Sequence, residues 1–219
     1  VLFDYAAAFP SVSHQWLFMV LKAIQIPLGL SNTIECLYQD NNAYMQTATG
    51  LVWLFPILSG VLQGCPLSGS LFVIAIDPLL YTFDSYIHST GLGLVRACAD
   101  DVGACLAELK DLGTMLRIFD DFQQMSGLFL KPRKCVLVLL SVVASKGNIT
   151  VIRKWLCDNL PQWSSIAISN HGKYLGFMLG PSAGDVQWNA ATKKFLDRVS
   201  QINSLKLPAN LAAIRYNSR

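Results

Sequence analysis

A chain of 219 residues with 53% apolar content has material for one hydrophobic core, or one domain and a fraction of a second. Its mean hydropathy of +0.40 is high for a soluble protein, and no charge falls between Asp40 and Asp77, yet Pro56, Gly60, Gln63, Gly64, Pro66, Ser68 and Gly69 interrupt that stretch. No window of about 20 residues stays uniformly apolar, so no membrane partner is expected. The net charge of +3 is unevenly divided: residues 1–109 carry two bases against eight acids, residues 110–219 fifteen bases against six acids. An acidic half suits a metal and a basic half a polyanion, although ordinary solvated faces explain the same split. No charged-then-apolar leader opens the chain. The six cysteines form no C-x-x-C pair and no Cys/His metal spacing, which suits reduced thiols inside a cell.

Val1 to Tyr5 reads as a strand with no cap or turn before it, as in a fragment of a longer chain. Ser11 or Ser13 is placed to cap a helix through about Ile24, with Trp16, Met19, Val20 and Ala23 at helical spacing. Pro27 and Gly29 stop it; Ser31 to about Gln39 reads as a short helix and Ala43 to Thr49 as a strand. The glycine-bounded loop Gly60 to Ser68 leads into an apolar helix, about Leu67 to Phe83, with Pro78 in its last turns.

Leu92 to Ala97 and Val102 to Leu106 are short, apolar and strand-like, and they flank Cys98-Ala99-Asp100-Asp101, a hairpin tip with paired acids. Adjacent like charges persist in a partly buried place when a cation lies between them or one keeps its proton. A turn in water is the plain alternative, since Asp is a common turn residue. An amphipathic helix follows, about Glu108 to Ser126, with Leu112, Met115, Leu116, Phe119 and Phe122 on one face and Gly127 at its end. Lys131 to Lys134 reads as a basic turn, Cys135 to Leu140 as a strand. Next come an irregular insert, about 141–170, with a helix near Ile149 to Asn159, and a hairpin over His171 to Gly180. A basic amphipathic helix, about Val186 to Leu205, carries Lys193, Lys194 and Arg198.

In this order the segments resemble the palm of a reverse transcriptase, most closely those of non-LTR (LINE-like) retrotransposons. Phe3-Asp4 to Val12 is similar to the first palm motif, Gly60 to Leu71 to the second, and Ala99-Asp100-Asp101 to the third. Gly127 to Leu137 is similar to the fourth and Tyr174-Leu175-Gly176 to the fifth, so the resemblance covers about residues 1–180. It implies an α+β fold, a polymerase palm with an antiparallel sheet backed by helices over 1–184, and the start of a truncated helical thumb over 185–219. The fingers, which precede the first motif in the family, lie outside this sequence, and no endonuclease or RNase H segment is visible.

The resemblance implies RNA-directed DNA polymerase activity, with RNA template, DNA primer and deoxynucleoside triphosphates as partners and two Mg²⁺ or Mn²⁺ ions as cofactors. In-line phosphoryl transfer uses two divalent ions to activate the attacking hydroxyl and stabilise the leaving group, and hard cations take carboxylate oxygens. Asp4 and Asp100 are the principal ligands by resemblance; strand alternation ranks Asp101 behind them. Lys134 matches the fourth-motif lysine, a candidate proton donor to pyrophosphate, with a solvated lysine as the alternative. Phe9 matches the aromatic gate beneath the sugar, with a core Phe as the alternative. Gln63 and Gly64 match the contacts to incoming nucleotide and template base, and Tyr174, Leu175 and Gly176 the primer-gripping hairpin.

Pro10 stands where most relatives have Asp, Leu62 where many have Arg, Cys98 where an aromatic is usual, Gly69 where Pro is common and Lys131 where Asn is frequent. These departures bear on nucleotide affinity and rate and leave the three acids intact. They also suit the other reading, a catalytically silent retroelement remnant that at most binds nucleic acid. An intracellular, nuclear setting is what target-primed retroelements imply; the residues fix no oligomeric state.

Overall fold

The computed structural model describes residues 1–62, 64–91, 93–206 and 208–217. The chain starts with β1 (Leu2–Phe3), a single helical turn α1 (Ala8–Ser11) and α2 (His14–Ala23). Ser13 caps α2, its hydroxyl accepting the Trp16 N–H at 3.3 Å, as a serine ahead of an apolar period predicts. Next, α3 (Leu28–Tyr38) starts at Leu28 and not at the expected Ser31. Pro27, with no N–H to leave unpaired, takes the cap position, and its carbonyl accepts from Leu30 at 2.9 Å and Ser31 at 3.1 Å.

An antiparallel ribbon follows, β2 (Asn42–Thr47) and β3 (Gly50–Pro56). The second strand was not anticipated, because the unbroken apolar run Leu51 to Phe55 lacks the alternation that marks a half-buried strand. In the fold those side chains are exposed on the ribbon.

The long helix α4 (Ser68–Thr90) contains Pro78 and passes the expected end at Phe83. Phe72, Ala75, Ile76, Leu79 and Phe83 form a buried stripe spanning both sides of the proline, and that packing carries the helix through. It ends at Gly91, in the left-handed region at φ 66°. By length and composition, Ser68–Ile87 is sufficient to cross a membrane; its apolar stripe here belongs to the core.

The hairpin of β4 (Gly93–Cys98) and β5 (Asp101–Leu106) leads to α5 (Asp111–Ser126). Leu112, Met115, Leu116, Phe119 and Phe122 are buried as their spacing requires. The helix begins at Asp111, after the expected Glu108, because the Asp111 carboxylate accepts the Glu108 N–H at 3.0 Å and holds that residue in the preceding turn. The remaining elements are β6 (Val136–Val138), α6 (Lys146–Asn159), β7 (Ala167–Ser169), the hairpin of β8 (Gly172–Tyr174) and β9 (Phe177–Leu179), α7 (Ala183–Val186), α8 (Asn189–Ser204) and α9 (Ala209–Asn217).

The main sheet has the order β4-β5-β1-β6-β7. It is mixed, which corrects the expected antiparallel sheet: β7 runs parallel to β6, with Val136 opposite Ala167 and Val138 opposite Ser169. The insert makes this possible. A strand–helix–strand crossover through α6 returns the chain in the same direction, and Arg153 of α6 donates to the Ile166 carbonyl at 2.6 Å just ahead of β7. The core lies between the sheet and α2, α4 and α5, where Phe3 packs against Phe119 at 4.7 Å and Phe83 meets the same ring at 4.9 Å.

Candidate functional site

β1 pairs antiparallel with β5 through Leu2 opposite Gly103 and Phe3 opposite Val102. Continued by one residue, that register sets Asp4 across from Asp101. Strand alternation turns Phe3 and Val102 into the core, where both are buried, and leaves Asp4 and Asp101 on the open face. Asp101 faces Cys98 in the β4–β5 hairpin, and Ala99 and Asp100 make the tip. Ala99 sits in the left-handed region at φ 51°, a conformation that favours glycine; such local strain is concentrated at functional sites.

The carboxylates feel one another. Burial, and then the charges of Asp100 and Asp4, push the Asp101 carboxyl above its ordinary value, while Lys173 opposes them. Asp4 is held through its backbone: its N–H donates to Cys135 Sγ at 3.3 Å and its carbonyl accepts the Lys131 N–H at 2.8 Å. Its Oδ1 is shielded from solvent and accepts no hydrogen bond, although Lys134 Nζ stands 3.5 Å away, at ion-pair distance. Cys135 is fully buried. Burial pushes its thiol up to about 11, the Asp4 amide pulling it down and the Asp4 charge adding to the rise.

Among the described residues, no group of three or more His, Cys, Asp or Glu is gathered closely enough to hold a metal ion. The donor chemistry nevertheless suits a hard divalent cation: a carboxylate oxygen without a hydrogen bond at Asp4 and mutual repulsion at Asp101 are both relieved by positive charge.

Tyr174 reaches the same face. Its hydroxyl donates to the Arg96 carbonyl at 3.3 Å and lies 3.5 Å from that of Asp101, and its ring covers Gly103, where an added Cβ would come to 3.4 Å of Cε2. Burial and the charges of Asp101 and Cys98 raise its phenol pKa. Leu175 and Gly176, with φ of 49° and 86°, make the two-residue turn between β8 and β9.

Phe9 and Gly64 lie in a second group, around the loop ahead of α4. The Phe9 ring is half-buried and stacks on Phe72 at 4.5 Å and 17°, and its carbonyl accepts the Val61 N–H at 2.9 Å. Gly64 has φ 88°, and a Cβ there would meet nothing within 4 Å, so the need for glycine is conformational. Gln63 lies outside the described residues.

Sequence reasoning missed three neighbours of the acids. Lys173 acts on Asp101 from β8, Cys135 holds the Asp4 amide, and Tyr5 has a buried hydroxyl with no hydrogen-bond partner, whose phenol is pushed far up by burial and by the charges of Cys135 and Asp100. Only tertiary pairing brings these residues to the acids; the sole local signal was the adjacency of Tyr5 to Asp4 and of Lys173 to Tyr174.

Residues 1–179 match the family model for reverse transcriptase (RNA-dependent DNA polymerase). The chain is 28% identical over 91% of its length to a Pol polyprotein of retrotransposable element R2 from Nasonia vitripennis, covering 20% of that protein. It is 30% identical over 86% of its length to the R2DM Pol polyprotein of Drosophila melanogaster, covering 18% of it. With the R2 Pol polyprotein of Popillia japonica the identity is 33% over 67% of the chain and 21% of the relative. The chain thus spans about a fifth of the length of these curated relatives. A family match across four-fifths of its residues, with relatives from non-LTR elements, means that the chain belongs to the reverse transcriptase (RNA-dependent DNA polymerase) family, as a non-LTR retrotransposon domain.

Proposed function

We propose that this chain is the palm of an RNA-directed DNA polymerase, residues 1–184, followed by the start of a thumb at 185–219, and that it joins deoxynucleotides to a DNA primer on an RNA template. The observation that carries this is the β1–β5 register, which ends at Phe3 opposite Val102 and so brings Asp4 near Asp101, whose carboxyl is raised by burial and then by the charges of Asp100 and Asp4. Asp4 and Asp100 would hold two Mg²⁺ or Mn²⁺ ions, with Asp101 as the third carboxylate. Bound there, such ions would activate the primer 3′-hydroxyl and stabilise charge on the leaving pyrophosphate.

The chain's own side chains bind, orient and move protons around that centre. Lys134, 3.5 Å from Asp4 Oδ1, donates a proton to the departing pyrophosphate. Phe9 lies under the sugar and rejects a 2′-hydroxyl by contact. Gln63 and Gly64 meet the nucleotide and template base. Tyr174, Leu175 and Gly176 grip the primer, and Lys193, Lys194 and Arg198 of α8 track its phosphates. The reaction runs in the nucleus, away from membranes.

The test is primer extension on an RNA template with Mg²⁺, run on the chain within its longer polypeptide. Extension that Asp100→Ala abolishes is expected; extension no greater than that of Asp100→Ala overturns the reading. A second reading, a silent remnant that binds nucleic acid, draws on the absence of a gathered metal cluster among the described residues. It is distinguished by Mn²⁺ titration, in which a remnant has no Asp100-dependent site.

A further inference from the structure

The loop ahead of α4 is fastened at its stem. Gly60 donates its N–H to the Val12 carbonyl at 2.8 Å, and Val61 to that of Phe9 at 2.9 Å. His14 Nε2, as the N–H tautomer, donates to the Gly60 carbonyl at 2.8 Å. An added Cβ at Gly60 would come to 2.9 Å of the Pro10 carbonyl oxygen, so the stem lies directly on the segment that follows Asp4.

Leu62, at the end of that stem, is held by its backbone. Its N–H donates to the Tyr38 hydroxyl at 3.2 Å, and its carbonyl accepts from the Ser68 hydroxyl and, at 3.2 Å, from the Cys65 N–H. The Leu62 side chain is 44% exposed, whereas Tyr38 and Ser68 are 2% and 6% exposed. Two buried hydroxyls therefore serve the backbone of one exposed residue. A phenylalanine at 38 would pack equally well against His14, whose ring it meets edge-on at 5.1 Å, so the hydroxyl is explained by Leu62 and not by the core.

We propose that Tyr38 and Ser68 are positioning residues: by gripping the Leu62 backbone they fix the stem that carries the nucleotide-contacting loop. This rests on the polymerase reading, in which Gln63 and Gly64 meet the incoming deoxynucleotide.

The test uses Tyr38→Phe and Ser68→Ala in the full polypeptide, with two readouts. In steady-state primer extension, each variant is expected to raise KM for the deoxynucleotide roughly fivefold, the equivalent of one neutral hydrogen bond, with kcat and Tm nearly unchanged. In native-state hydrogen exchange, the Leu62 amide is expected to exchange roughly fivefold faster or more in Tyr38→Phe, while α4 and the main sheet keep their protection. An unchanged Leu62 exchange rate, an unchanged KM, or a KM rise that merely follows a general loss of Tm overturns the assignment. Absence of Asp100-dependent extension in the wild type overturns the polymerase reading instead, and hydrogen exchange then decides the grip on Leu62 by itself.

Discussion

Lys134 Nζ lies 3.5 Å from Asp4 Oδ1, so the turn ahead of β6 delivers a cation to the end of β1. Both side chains remain about half exposed, and an exposed pair of this kind contributes little to stability. Lys134→Gln should therefore leave Tm almost unchanged and lower kcat by roughly 10²-fold, the usual effect of losing a positioned acid. Steady-state primer extension beside a thermal melt checks both halves.

Repulsion of Asp101 by Asp100 and Asp4 should, on the proposed reading, make the fold responsive to divalent ions. With Mn²⁺ at about ten times its Kd, binding linkage stabilises the native state by about 1.4 kcal/mol, which for a chain of this size raises Tm by roughly 3–6 °C. Chelation with EDTA should remove the gain, and Asp100→Asn should abolish it. Melts with and without Mn²⁺ measure this directly.

Asp120, on α5, offers a pH test away from the acidic face. Burial and then the neighbouring Asp121 push its carboxyl above the ordinary 3.8, so the native state binds this proton more tightly than the unfolded chain does. Stability is accordingly lost as pH rises through the window above 3.8 and stays lower at neutral pH. Asp120→Asn, which keeps an oxygen to accept from Gln123, should raise Tm at pH 7. The gain should vanish as pH falls below the ordinary carboxylate value, in melts run across that range.

Cys135 should resist alkylation. It is fully buried, with its thiol pushed up to about 11, whereas Cys36, Cys98, Cys105 and Cys157 are exposed. Only thiolate reacts readily, so iodoacetamide at pH 8 should modify the exposed four first and reach Cys135 only on unfolding. Peptide mass spectrometry distinguishes the sites.

The elements most legible in the sequence were those whose signal is local. Ser13 before an apolar period, Gly127 after one, and the apolar face of α5 each depend on neighbours within a turn or two, and each was found where expected. The acids were named through the family motifs, and the β1–β5 register brings Asp4 and Asp101 to one sheet face. What escaped depends on distant partners. The parallel pairing of β7 with β6 is set by a crossover helix, the run of α4 past Pro78 by core packing on both sides of it, and the approach of Lys173 to Asp101 by a hairpin that docks from the far end of the chain.

β1 precedes the other strands of its sheet in the chain and sits in the middle of that sheet. Its partners lie far along the chain: Val1 and Ala104, which are hydrogen-bonded, are 103 positions apart, and Asp4 and Cys135 are 131 apart. Non-local closures of this kind fold slowly, so on the ribosome the opening segment waits without its neighbours until β6 has emerged. A nascent chain interrupted before that point carries Asp4 without Lys134 or Cys135 beside it.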